Sequence, residues 1–185
     1  LLGVMSRLQT ADSGLVMIDG LDVHQSSNAV LAKKMAILRQ DNTISLRLKV
    51  YDFVAFGRFP YSQGRLTQED VEHIDRALDY LNLNDLRHRY LDELSGGQRQ
   101  RACIAMVLCQ NTKLLLLDEP LNNLDMKHAV DIMKLIRRAA DELHKQVVVV
   151  LHDINFASCY ADRIIAMKLG EVVYDYPPEE LMTTD

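Results

Sequence analysis

Lys113-Leu-Leu-Leu-Leu-Asp118 and Gln146-Val-Val-Val-Val-Leu151 are apolar runs in which hydrophobic and polar residues do not alternate. A strand with one wet face alternates, so unbroken runs of this length predict strands buried on both faces, as in parallel sheets. Between them, His128 to Leu143 reads as a helix, and strand, helix, strand with a right-handed crossover implies a doubly wound α/β sheet. The chain has 185 residues, 48% of them hydrophobic and 25% charged, enough for one domain with a real core. Its formal charge of -5 gives no electrostatic footprint for phosphate-backbone binding, so nucleic acid is excluded as a bulk partner. No run approaches the ~20 apolar residues that span a bilayer, so the chain is not expected to cross a membrane by itself. Cys103, Cys109 and Cys159 are odd in number and lack C-x-x-C spacing, which fits a reducing cytosol, and no export signal opens the chain.

Further elements follow from local signals. Leu1 to Leu8 reads as helix, and Gly14 to Gly20 as a strand between turns. Ala36 to Gln40 is a further strand. Thr67-x-x-Asp70 opens a helix that buries Val71, Ile74, Leu78 and Leu81, and a short helix covers Leu83 to Tyr90. Ser95 and Gln98 stand at capping-box spacing ahead of a helix reaching Asn111. Asp162 to Lys168 and Glu171 to Tyr176 flank Leu169-Gly170 as a C-terminal hairpin. Asp131 to Arg138 reads as a solvated helix face.

In open parallel sheets the ligand crevice lies beyond the carboxyl ends of the strands. One strand there delivers Asp118 and Glu119 and the other delivers His152. Read alone, the two carboxylates also fit a cap for the next helix, and His152 an ordinary edge histidine. Ser95-Gly96-Gly97-Gln98 favours the functional reading: two glycines in a first turn cost about 1 kcal/mol each, which suits a backbone that something must approach closely. A helix N-terminus with a serine hydroxyl and no Cβ in the way is a phosphate site. Cys103 and Cys109 read as small core residues. His24, His73, His88, His128 and His144 show no shared spacing or carboxylate partner that suggests a metal site.

Leu94-Ser-Gly-Gly-Gln98, followed twenty residues on by Leu-Leu-Leu-Leu-Asp-Glu-Pro, resembles the ATP-binding subunit of ABC transporters over nearly the whole chain. The resemblance implies a P-loop NTPase-type, RecA-like parallel sheet flanked by helices. It also implies an inserted α-helical subdomain and a C-terminal β-hairpin. Residues 1–185 then form a single ABC ATPase domain, with about 42–105 inserted in a core of 1–41 and 106–185. It assigns Asp118 and Gln40 to Mg²⁺, Glu119 to the attacking water and His152 to the γ-phosphate. Gln40 matches the Q-loop glutamine, which links metal and water to the transmembrane partner. ATP is expected against Ser95, Gly96, Gly97 and Gln98 and against Asp125 of the D-loop-like Asn122-Asn-Leu-Asp125, where many members have serine in place of Asn122. The partners implied are a second ATPase subunit in a head-to-tail dimer, a transmembrane permease and, indirectly, a substrate-binding protein. The expected place is the cytoplasmic face of the membrane, bound peripherally.

None of the eight glycines precedes a lysine, so the phosphate cradle G-x-x-x-x-G-K-[ST] does not occur. In the family Leu-Leu commonly follows that loop, so Leu1-Leu2 is expected to stand just past it, and relatives also continue beyond Leu181-Met-Thr-Thr-Asp185. Alone, such a chain should bind ATP poorly while still presenting Ser95 to Gln98 to an intact partner. Tyr51, Phe53, Phe56, Phe59 and Tyr61 fit both a core beneath the helical lobe and a docking groove for a membrane partner. Phe56-Gly-Arg-Phe-Pro-Tyr61 and His152-Asp-Ile-Asn-Phe156-Ala are similar to importers of iron(III)–siderophores. A soluble ABC ATPase of repair or translation, and a regulatory ABC-like module without activity of its own, are the alternatives.

Overall fold

The computed structural model describes residues 1–40 and 47–181. Helix α1 is a single turn (Leu2–Met5) rather than the eight residues expected, because Ser6 caps it and Arg7 turns into the left-handed region at φ 60°. The Gly14–Gly20 run is not one strand. Asp19 and Gly20 both take positive φ, as the twist of a two-residue hairpin requires, and join β1 (Met17–Ile18) to β2 (Leu21–Asp22). One-turn helix α2 (Asn28–Leu31) starts at the Ser27 cap and leads into β3 (Met35–Leu38).

The aromatic segment folds as α3 (Val50–Ala55), a tight 3₁₀ turn and α4 (Phe59–Ser62). Helix α5 (Gln68–Tyr80) carries the expected capping box between Thr67 and Asp70. It buries Ile74 and Leu78 and seats Leu81 just past its end, with Val71 half-buried. The helix expected over Leu83 to Tyr90 is only a 3₁₀ turn at Asn84–Leu86, since a segment this short with few apolar residues gains little by extending. Helix α6 (Gly96–Cys109) and β4 (Leu114–Asp118) follow. Helix α7 (Met126–Glu142) buries Ala129, Ile132, Met133, Ile136 and Ala139, so Asp131 to Arg138 is half core, with only Asp131, Lys134 and Arg138 fully exposed. Strand β5 (Gln146–Val150), α8 (Ile154–Tyr160), the antiparallel hairpin β6 (Ile164–Lys168) and β7 (Glu171–Tyr176), and α9 (Pro178–Leu181) complete the described chain.

Strands β3, β4 and β5 form a parallel sheet in that order, with Leu38 opposite Leu117 and Leu117 opposite Val149. Pleating sends alternate leucines of β4 to opposite faces. Leu115 and Leu117 enter the large core with Ala36, Leu38 and residues of α3, α5, α6 and α7. Leu114 and Leu116 meet Ile18, Val23, Leu31 and Met35 in a smaller core on the other side. Helix α6 buries residues all round, as expected of a helix covered by others on one side and the sheet on the other. It also crosses residue 105, where the inserted helical portion was expected to end; the other limit, at 42, lies outside the described residues.

An ion pair ties this helical region together. Arg58 donates to Asp70 at 2.8 Å and to the Cys109 carbonyl at 3.1 Å, and both side chains are almost fully buried. Gly57 approaches α6 so closely that a Cβ would lie 2.2 Å from the Met106 carbonyl oxygen. Burial alone would raise the Asp70 carboxyl, but hydrogen bonds from Thr67 and Arg58 outweigh it and hold it below the usual carboxylate value. Removing one partner of a buried pair leaves the other charge uncompensated, so Arg58→Ala should lose about 3–5 kcal/mol in urea unfolding. A carboxyl with a depressed native pKa stabilises above its unfolded pKa, and that contribution fades as pH falls through the native value. Asp70→Asn should therefore be less stable at neutral pH and lose less on acidification than the parent, read by thermal unfolding from pH 7 downward.

Candidate functional site

Strand register places the chemistry. Gln40 stands two residues past Leu38, Glu119 two past Leu117, and His152 three past Val149, so three parallel strands deliver them to one sheet edge. Their side chains meet: Gln40 Nε2 donates to Glu119 Oε2 at 2.6 Å, and His152 Nε2 lies 2.6 Å from Glu119 Oε1. Glu119 is largely sheltered, with 15% of its side chain exposed, whereas His152 is 78% exposed. Glu119 also takes a left-handed backbone, φ 48°, in the bend into Pro120, which aims its carboxylate differently from that of Asp118. Asp118 is half-buried at the strand end, opposite Val150. Glu119, Asn122, Leu124, His152 and Phe156 help line a cleft of about 220 Å³.

Neither Asp118 nor Glu119 caps α7. That role falls to Asp125, which accepts from the His128 backbone at 3.0 Å and lies 2.6 Å from its Nδ1. The hydrogen bond from the His128 backbone, and then that from its ring, hold the Asp125 carboxyl below its ordinary value. His128 thus has a carboxylate partner in Asp125, for which the sequence signal is Asp-x-x-His at a helix start.

At the other cluster, Ser95 caps α6. Its hydroxyl accepts from the Gln98 backbone at 3.3 Å, and the Gln98 side chain accepts from the Ser95 backbone at 3.0 Å. The two glycines differ. A Cβ at Gly96 would meet nothing within 4 Å, whereas at Gly97 it would fall 2.4 Å from the His128 ring. So the helix end is open at Gly96, while the space a side chain would need at Gly97 is taken by the His128 ring. Burial pushes the Cys103 thiol up to about 11 and Cys109 to about 12, making both inert core residues, as expected. The aromatic segment divides between the two readings: Phe53 is buried, while Phe56 and Phe59 are 49% and 57% exposed.

Residues 1–122 match the family model described as ABC transporter. The chain belongs to the ABC transporter family. It is therefore a nucleotide-binding domain of the ABC ATPase type, with the parallel sheet, helices and C-terminal hairpin expected from the sequence. It is 58% identical over 184 residues to the petrobactin import ATP-binding protein YclP of Bacillus subtilis, covering 100% of this chain and 73% of the relative. Among solved structures, cbiO1 of Clostridium perfringens, part of the transporter complex cbiONQ, superposes with a TM-score of 0.85 at 29% identity, covering 97% of this chain and 72% of that one. The dimeric ATP-binding cassette MJ0796 bound to ADP and Pi gives 0.80 at 32% identity, covering 96% and 78%.

Because the Ser95 hydroxyl satisfies a first-turn N–H, Ser95→Ala should cost about 1 kcal/mol of stability and Ser95→Gly only a few tenths, measured by chemical denaturation.

Proposed function

We propose that this ABC ATPase powers import of an iron(III)–siderophore chelate. It would work as a head-to-tail pair docked peripherally on a permease at the cytoplasmic face of the membrane, with a substrate-binding protein supplying the cargo. The observation that carries the reading is the meeting of Gln40 and His152 on the Glu119 carboxylate, and likeness to YclP supports the cargo class, with petrobactin the first to test. Among the described residues no helix is long and apolar enough to cross a membrane.

Phosphoryl transfer asks for positioning and charge neutralisation more than covalent chemistry. Glu119 is the general base: it takes a proton from the water that attacks the γ-phosphorus in line, as the bond to the bridging oxygen breaks and ADP leaves. Both its oxygens are engaged, one by Gln40 and one by His152. The exposed His152 ring has the freedom to exchange that contact for the γ-phosphate, which releases one carboxylate oxygen to the water. Asp118 and the amide oxygen of Gln40, whose nitrogen is spent on Glu119, are hard oxygen donors suited to Mg²⁺, which when bound offsets charge on the β- and γ-phosphates. Ser95, Gly96, Gly97 and Gln98 offer the positive end of α6 to the phosphates of a nucleotide held by the partner's cradle, and Asp125 stands in the adjoining turn. Helices α3 to α6 supply the helical portion of this half-site.

Two observations support permease docking on the helical region. Phe56 and Phe59 are exposed, and Tyr51, Lys49, Asp52, Arg87 and His88 line a cleft of about 390 Å³.

Glu119→Gln in the complete protein should slow phosphate release by about 10²–10⁴-fold, the usual contribution of a general base. ATP should still drive that variant into a dimer on size exclusion, and rapid turnover by it would overturn the assignment.

A further inference from the structure

The structure joins the signature helix to the Asp125 turn through one ring. Asp125 holds His128 twice, by its backbone N–H at 3.0 Å and by Nδ1 at 2.6 Å, which fixes the ring's direction and its Nδ1–H form. That ring lies against Gly97: a Cβ there would fall 2.4 Å from Cδ2, 3.0 Å from Cγ and 3.2 Å from Nε2. Gly97 is buried by this contact, although Ser95 and Gly96 on the same turn are exposed. Helices α6 and α7 share the large core, but their main neighbours differ, α3, α5 and β3 for α6 and β5 and α8 for α7. Their amino ends meet where the imidazole seats on glycine.

We propose that His128 is a positioning residue for the composite nucleotide site, setting the first turn of α6 against the Asp125 turn so that both face the second subunit's nucleotide as one rigid edge. The proposal rests on the reading of Ser95 to Gln98 and Asp125 as the half-site that completes a partner's cradle. It assigns Gly97 a reason distinct from that of Gly96. Gly96 must leave space for the phosphate, whereas Gly97 must leave space for His128. A ring held by a neighbouring carboxylate and seated on the glycine couples the position of either turn to the other, because the two turns share one packed contact. Nucleotide bound against α6 would thereby fix the Asp125 turn, and loosening of that turn would disturb the clamp.

The test is a double-mutant cycle in the complete protein with His128→Ala, Gly97→Ala and the pair together, read by thermal unfolding and by steady-state ATP hydrolysis. Gly97→Ala alone should lower the melting temperature and reduce turnover, and the pair should recover most of the melting temperature and exceed Gly97→Ala in turnover at saturating ATP while keeping the raised half-saturation of His128→Ala, since the methyl group then enters the space left by the ring. His128→Ala alone should raise the ATP concentration for half-maximal turnover about 10-fold while kcat changes much less, because misplacement of a clamp is felt mainly in assembling the site. A pair whose turnover is no better than that of Gly97→Ala overturns the proposal, because the nucleotide rather than His128 would then be what excludes a side chain. Unchanged half-saturation in His128→Ala overturns it as well. An unsubstituted protein that shows no ATP turnover defeats the composite-site reading itself and this proposal with it, an outcome distinct from turnover that His128→Ala leaves untouched.

Discussion

The register of the β3–β4–β5 ladder is the constraint on which the site depends. A strand made of four successive leucines does not specify its own register, because a slip of one residue exchanges one leucine face for another. Polar residues at the amino ends supply the specification. Gln110 donates to the carbonyls of Ala32 and Met35, Thr112 bonds the Leu114 carbonyl, and the Lys145 ammonium bonds the Thr112 carbonyl at 2.8 Å. With that edge pinned, the opposite edge is fixed too, and Gln40, Glu119 and His152 emerge within reach of one another. The far ends of the same strands therefore divide the work, one holding position and the other carrying the chemistry.

A second anchor serves the helical region. Buried Arg58 holds the 3₁₀ turn, the start of α5 and the end of α6 through two hydrogen-bonding partners, Asp70 and the Cys109 carbonyl, and a contact with the Tyr61 ring. Asp70 also accepts from the backbone and hydroxyl of Thr67, so both oxygens of the buried carboxylate are hydrogen-bonded. Helix α6 then spans the two functions. One end is fixed near Cys109 by Arg58 and Gly57, and the other presents Ser95 and Gly96 to solvent. Between these ends Ala102, Cys103, Ile104 and Ala105 are buried.

The elements that were legible were those with strong local codes. Capping boxes at Thr67 and Ser95, the apolar runs of β4 and β5, and the turn at Leu169-Gly170 all fold as read, since each satisfies its own backbone with neighbours a few residues away. Where tertiary contact decides, the reading fell short. The Asp19-Gly20 hairpin, the shortened α1 and the helix α8 after His152 are too short to show periodicity, and α8 is set mainly by the Asp153 cap. The partner of His128 is a helix-cap carboxylate, Asp125, and not a member of a metal-ligand set.

By itself, the sequence determined the parallel α/β sheet, the edge from which catalysis would operate and the residue types present there, because burial pattern and strand order are encoded by local composition. Only the tertiary structure decided that both oxygens of Glu119 are engaged by Gln40 and His152, and that the His128 ring fills the space beside Gly97. Those contacts link residues that lie 79, 33 and 31 positions apart for the pairs Gln40–Glu119, Glu119–His152 and Gly97–His128. No local rule relates such positions. Their distances are set by how three strands are pinned and how two helices cross, which is a property of the packed chain and not of any segment within it.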